Sequence, residues 1–145
     1  MPILAHMLVL MQFTGIGASC FPVGLDPAGS PCWLLACVLG LGVGVVTLGY
    51  NRPGNFGIYP QPKAQAQLIT AGPYRYIRHP MYLGLLLTML GIALYNAHWL
   101  NLAGLALVAA AVTGKVLLEE RLLLARFPDY ADYMRRTARL LPGLF

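Results

Sequence analysis

Tyr74, His79 and Tyr82, three side chains able to bind or polarise a ligand, fall within nine residues of one another, with Arg75 and Arg78 between them. They belong to the stretch Gly72-Pro73-Tyr74-Arg75-Tyr76-Ile77-Arg78-His79-Pro80-Met81-Tyr82-Leu83-Gly84, which runs into the uncharged segment 81–95. Gly72-Pro73 makes a turn. Pro80 suits the first turn of a helix, where its missing N–H costs nothing. The pattern predicts a helix opening at His79-Pro80, with His79, Tyr82 and free backbone N–H groups gathered at its N-terminus. Such an end attracts a carboxylate or phosphate. Gly84 leaves one side of the first turns open to a ligand or to another backbone.

The elements that must position these groups are apolar. Of the 145 residues 58% are hydrophobic and 10% charged, with a mean hydropathy of +0.65. A soluble domain has about 25% charged residues, so the chain reads as an integral membrane protein. Residues 3–23 and 32–50 carry no Lys, Arg, Asp or Glu and are long enough to span a bilayer. Residues 81–114 are also uncharged but are interrupted by Asn96-Ala97-His98, which predicts two helices joined by a tight turn. The expected fold is all-α: a single domain, 1–145, with spans at about 3–23, 32–50, 79–96 and 98–118. A loop at 51–78 and a C-terminal interfacial segment at 119–145 complete it. Lys115 is expected to snorkel outward from the end of the fourth span.

All ten Lys and Arg side chains fall in 51–80 or from Lys115 onward. The positive-inside rule then places that face and both termini in the cytoplasm of a bacterial inner-membrane type protein. The +5 charge is read as a signal for the bilayer surface and anionic ligands. No basic face exists away from the bilayer, which argues against nucleic acid. Cys20, Cys32 and Cys37 have no C-x-x-C spacing and no companion His cluster, so no metal site is read. They are read as buried thiols, with a Cys20–Cys32 disulfide as the alternative. His6, Gln12 and Thr14 are read as helix-packing or interfacial polar groups, and 3–23 as a retained span rather than a signal peptide. Gly40-x-x-x-Gly44 predicts close approach of another helix. The segment 51–63 holds three prolines and two glycines and is read as a lid, with Phe56 and Tyr59 as apolar anchors. Pro128 ends the helix that leaves the fourth span, and 129–140 is expected to form an amphipathic surface helix.

The stretch Leu68-Ile69-Thr70-x-Gly72-x-Tyr74-x-x-x-Arg78-His79-Pro80-x-Tyr82-x-Gly84 resembles the signature of the isoprenylcysteine carboxyl methyltransferases and the related small phospholipid methyltransferases. The segment Glu119-Glu120-x₆-Phe127-x-x-Tyr130-x-x-Tyr133, with Pro142-Gly143 beyond it, resembles that family's second block. Together they cover about the C-terminal half of the chain. The resemblance implies methyl transfer from S-adenosylmethionine (SAM), leaving S-adenosylhomocysteine (SAH), to a lipophilic or membrane-partitioned acceptor such as a prenylcysteine carboxylate, a phospholipid amine or a small thiol. It implies a SAM pocket made by Gln67, Leu68, Ile69, Tyr74, His79, Pro80, Tyr82 and Glu119. Glu119 could accept from the amino group or the ribose hydroxyls of SAM. Glu119 and Lys115 are the candidate catalytic residues. Lys115 stands where the isoprenylcysteine enzymes carry a substrate-binding Arg, and it lacks the planar fork for a carboxylate. Pro128 replaces the Gly that usually follows the C-terminal Phe. Both departures bear on the acceptor rather than on the cofactor.

Two other readings stay open at this stage. A sterol-reductase type enzyme would bind NADPH instead of SAM. A non-enzymatic membrane scaffold would bind neither, and it leaves the polar cluster at one helix mouth without a purpose. Neither the oligomeric state nor the acceptor atom, O, N or S, is legible in the sequence.

Overall fold

The computed structural model describes residues 2–22, 27–51, 55, 57–62, 64 and 66–142, with only the backbone for Pro2. Among the described residues five α-helices follow one another: α1 Pro2–Cys20, α2 Leu34–Tyr50, α3 Pro80–Asn96, α4 Trp99–Arg126 and α5 Tyr130–Arg136. Short 3₁₀ turns stand at Pro31–Trp33, before α2, and at Gly72–Arg75. The described residues contain no β-strand, only an isolated parallel bridge between Ile77 and Ala138. Among the described residues three segments are long and apolar enough to cross a membrane: Ile3–Cys20, Pro31–Tyr50 and Trp99–Arg126. The fourth apolar helix, Pro80–Asn96, is shorter.

Antiparallel packing follows from which residues meet. Gly40 of α2 faces Gly84 and Thr88 of α3, while Cys37 faces Gly91. Tyr82 of α3 reaches Glu119 of α4, while Met89 packs with Val108 and Val112. Gly15 of α1 meets Gly104 and Val108 of α4, while Leu8 meets Gly114. The four helices therefore lie in the spatial order α2, α3, α4, α1. The core between them is formed by Met89, Val108, Val112 and Val116, with Ile16, Leu85, Leu86 and Ile92 packed around it. The outer faces of α1 and α2 present Ile3, Leu10, Phe13, Leu35, Val38, Leu39, Leu41 and Val45, all exposed. An apolar coat of this extent is unstable in water and stable in lipid, so this is an integral membrane protein.

Local chemistry sets the helix ends. Gly84 approaches a neighbouring backbone, not a ligand: a Cβ on Gly40 would stand 2.6 Å from the Gly84 carbonyl and 2.5 Å from the Thr88 nitrogen. Ala97 adopts the left-handed conformation, φ 52°, to close α3, and its N–H bonds the Ala93 carbonyl at 2.9 Å. The His98 ring then accepts from the Leu100 N–H at 3.2 Å and opens α4. At that same end the fully buried Asn101 amide donates to the carbonyls of Ala18, Ser19 and Phe21 at 2.9–3.0 Å. It thereby satisfies the carbonyls that the end of α1 leaves without helical partners.

Four expectations need correction. α5 ends at Arg136, not Leu140; Thr137 is extended at φ −135°, ψ 145°. Tertiary bonds outcompete the marginal stability of a short helix here: Ala138 N–H bonds the Tyr76 carbonyl at 3.1 Å, and the Arg78 and His79 N–H groups bond the Ala138 and Arg139 carbonyls at 2.8 and 3.1 Å. The chain 137–140 is thus a clasp across the mouth of α3. Second, the clasp removes the expected row of free N–H groups there, since Tyr82 and Leu83 N–H also bond the His79 carbonyl at 3.1 Å. Third, Lys115 does not snorkel; it is 2% exposed. Fourth, all three cysteines are free thiols, but Cys20 and Cys32 are exposed rather than buried.

Candidate functional site

The mouth of α3 is built by segments far apart in sequence. Gly72, at φ 59° over the Tyr50 ring, turns the chain into the 3₁₀ segment and aims Tyr74 inward. The Tyr133 hydroxyl of α5 holds that segment by donating to the Tyr74 carbonyl at 2.6 Å. Pro80 opens α3 with His79 as its N-cap. On α4, Glu119 and Glu120 stand one residue apart and point to the two ends of the His79 ring. The Glu119 carboxylate lies 3.5 Å from Nδ1 and the Glu120 carboxylate 3.5 Å from Nε2. The Tyr82 hydroxyl donates to Glu119 Oε1, and the Tyr82 ring stacks on His79 at 5.8 Å.

A cleft of about 210 Å³ opens over these groups. Its walls include Gln67, Leu68, Ile69, Tyr74, His79, Pro80, Tyr82 and Glu119, the eight residues expected from the sequence. Residues 57 and 59–62 of the proline-rich loop line it too, as does Asn55. The Asn55 side chain pairs with both backbone groups of Gln67 at 2.9 Å, fixing the loop to the segment 66–69. Phe56, the other expected anchor, lies outside the described residues. Tyr59, Tyr130 and Tyr133 add aromatic walls. Burial first, and then the Glu119 charge, push the Tyr74 hydroxyl up to about 12. Burial raises Tyr130 and Tyr133 as well. All three phenols are therefore neutral donors at physiological pH.

Lys115 is not among the lining residues. Its ammonium turns the other way, donating to Gln12 Oε1 of α1 at 2.7 Å and to the Ile58 carbonyl at 2.8 Å. Glu120, which the sequence left without a role, is 3% exposed and holds two cations. Arg78 Nε reaches its Oε1 at 2.7 Å and Arg139 Nε its Oε2 at 2.9 Å. Arg78 also donates to the carbonyls of Met134, at 3.2 Å, and Thr137. Arg78 is thus a tie between the start of α3, α4 and the clasp. A paired Glu in an otherwise apolar helix, downstream of Arg-His, was the sequence signal for this cluster.

A family model described as phospholipid methyltransferase matches residues 32–129, about two thirds of the chain. The chain belongs to the phospholipid methyltransferase family. The match takes in α2, α3, α4 and the segment between α2 and α3; α1 and the clasp lie outside it. This membership points to methyltransferase activity in a membrane. The chain is 34% identical over 113 residues to the cobalt-zinc-cadmium resistance protein CzcN of Cupriavidus metallidurans, covering 77% of this chain and 52% of that protein. It is 32% identical over 113 residues to the nickel-cobalt-cadmium resistance protein NccN of Alcaligenes xylosoxydans xylosoxydans, covering 77% and 53%. The chain spans about half the length of the curated relatives it matches.

Proposed function

We propose that the cleft at the mouth of α3 binds SAM and that the protein transfers its methyl group to a lipophilic acceptor reaching the cleft from the bilayer. The observation that carries this reading is convergence. The segment 67–82 and Glu119, some forty residues apart in sequence, meet around one cleft in which Glu119 faces both Tyr82 and His79. The lining suits the ligand. Glu119 supplies an acceptor for the SAM amino group or ribose hydroxyls. The His79 ring is held between the Glu119 and Glu120 carboxylates, each 3.5 Å from one ring nitrogen, and lines the cleft on its Glu119 side. The faces of Tyr74, Tyr82, Tyr130 and Tyr133 favour a cation such as a sulfonium. SAM, when bound, supplies the electrophilic methyl. The protein's part is to hold donor and acceptor in line and keep water away.

Four spans are proposed, with α3 tilted little: its 17 residues rise roughly 25 Å, slightly under the bilayer core. The longer α4 then carries Glu119 and Glu120 to the interface, and the basic residues around the cleft favour a cytoplasmic position for that end. The cleft is smaller than the roughly 300–1,000 Å³ usual for small-molecule sites. Entry of SAM therefore requires residues 57–62 to move outward, which is the behaviour of a lid.

Titration calorimetry of the protein in lipid nanodiscs tests this reading. SAM and SAH are expected to bind and NADPH is not. A folded protein that takes up neither SAM nor SAH would refute the assignment, and uptake of NADPH alone would favour a reductase.

A further inference from the structure

Lys115 is a charged side chain inside an apolar helix with 2% of its surface exposed. Such a group is costly unless it is paired, and one retained within a membrane span usually has a task. Its three donors have two partners from two other elements: Gln12 Oε1 of α1 at 2.7 Å and the Ile58 carbonyl of the loop at 2.8 Å. The ammonium also lies 5.9 Å from the centroid of the Tyr82 ring. Next to Ile58, the Tyr59 ring packs against His6 of α1 at 4.9 Å. The loop wall of the cleft is thus gripped at two successive residues by α1, once directly and once through Lys115. Tyr59, Pro60, Gln61 and Pro62 follow on and line the cleft.

We propose that Lys115 is a positioning residue: with Gln12 it forms a latch that holds loop 57–62 over the cleft, and α1 thereby sets the cleft's outer wall. This differs from a role in contacting the acceptor. A Lys reaching into the cleft would appear among its walls, and its ammonium would not be spent on a glutamine of α1 and a loop carbonyl. The site depends on a helix that lies outside the matched family region, and the two polar residues of α1 involved, His6 and Gln12, gain a shared purpose. The latch rests on the SAM reading only in its effect on ligand kinetics.

Hydrogen exchange on the full chain in nanodiscs, without ligand, is the first test. Lys115→Met keeps the length and removes the donor. It is expected to speed exchange of the Gly57, Ile58, Tyr59 and Gln61 amides about tenfold or more, the size of a lost charge-assisted hydrogen bond. The amides of Arg78, His79 and Ala138, which close the clasp, should keep wild-type rates, and Lys115→Arg should restore the loop. Unchanged loop exchange with the clasp intact would overturn the latch. Should Lys115→Met disturb the clasp as well, Gln12→Leu decides. Acceleration confined to the loop supports the latch, and its absence overturns it. As a second readout, both association and dissociation of SAH should quicken in Lys115→Met. Faster dissociation alone would mean that Lys115 touches the ligand and would overturn the proposal. Failure of SAH to bind the wild type would strike the SAM reading and leave the exchange result standing.

Discussion

Removing Glu120 should open the clasp over the mouth of α3. The Glu120 and Arg78 side chains are 4% and 6% exposed, so Glu120→Ala leaves a buried guanidinium without its counter-charge. Breaking a buried pair from one side costs about 3–5 kcal/mol. Arg139 is 32% exposed, and losing its half of the cluster adds under about 1 kcal/mol because water screens it. Arg78 keeps the Met134 and Thr137 carbonyls as acceptors, which places the cost near the lower bound, about 3 kcal/mol. Every 1.4 kcal/mol is tenfold, so the opening equilibrium of the clasp should rise roughly a hundredfold. The assay is amide exchange at Arg78, His79 and Ala138, whose N–H groups make the bonds that close the clasp. Arg78→Met with Glu120→Met should recover most of the loss, because exchanging both charges for apolar groups removes the desolvation cost together with the attraction. Wild-type exchange at these amides in a folded Glu120→Ala protein would refute the reasoning.

Other outcomes follow from the same geometry. Tyr82→Phe, His79→Ala and Glu119→Ala should each weaken SAM binding about tenfold or more, read by calorimetry; unchanged titrations for all three would contradict the pocket. Gly40→Val should cost the roughly 1–3 kcal/mol of stability of an overpacked contact and so lower the thermal midpoint, because its Cβ would meet backbone atoms of α3 at 2.5–2.6 Å. Gly42→Ala, whose Cβ would meet nothing within 4 Å, should leave the midpoint unchanged, and equal effects of the two would contradict the close α2–α3 contact. The amides of residues 57–61 should become better protected when SAM or SAH is bound; identical exchange in both states would make the loop a fixed wall rather than a lid.

Much of the molecule was legible because the signals were local. Helix existence followed from uncharged runs, and the opening of α3 from Pro80, whose ring and missing N–H fit a first turn and no later one. The turn at 96–98 followed from a polar break in an apolar run. The eight residues that the family resemblance implies for a SAM pocket line one cleft; seven of them lie close together in the chain at 67–82, and residues adjacent in a motif remain adjacent in space. The tertiary structure alone decided how the charged groups were spent. Glu119 and Glu120 are neighbours in sequence, yet their side chains leave the helix about 100° apart, and only packing says that one meets the cleft while the other meets Arg78 and Arg139. The backbone donors at the mouth of α3 look free from residues 72–84 alone. Two of them, the Arg78 and His79 N–H groups, are taken by the carbonyls of residues 138 and 139, about sixty positions away. Lys115 at the end of an apolar run reads as a side chain reaching for water. It turns inward because Gln12 and the Ile58 carbonyl, from two other elements, arrive within 2.8 Å of its ammonium. Whether a charge in such a helix goes out or in depends on whether partners come to meet it, and bringing partners together is what the tertiary fold does.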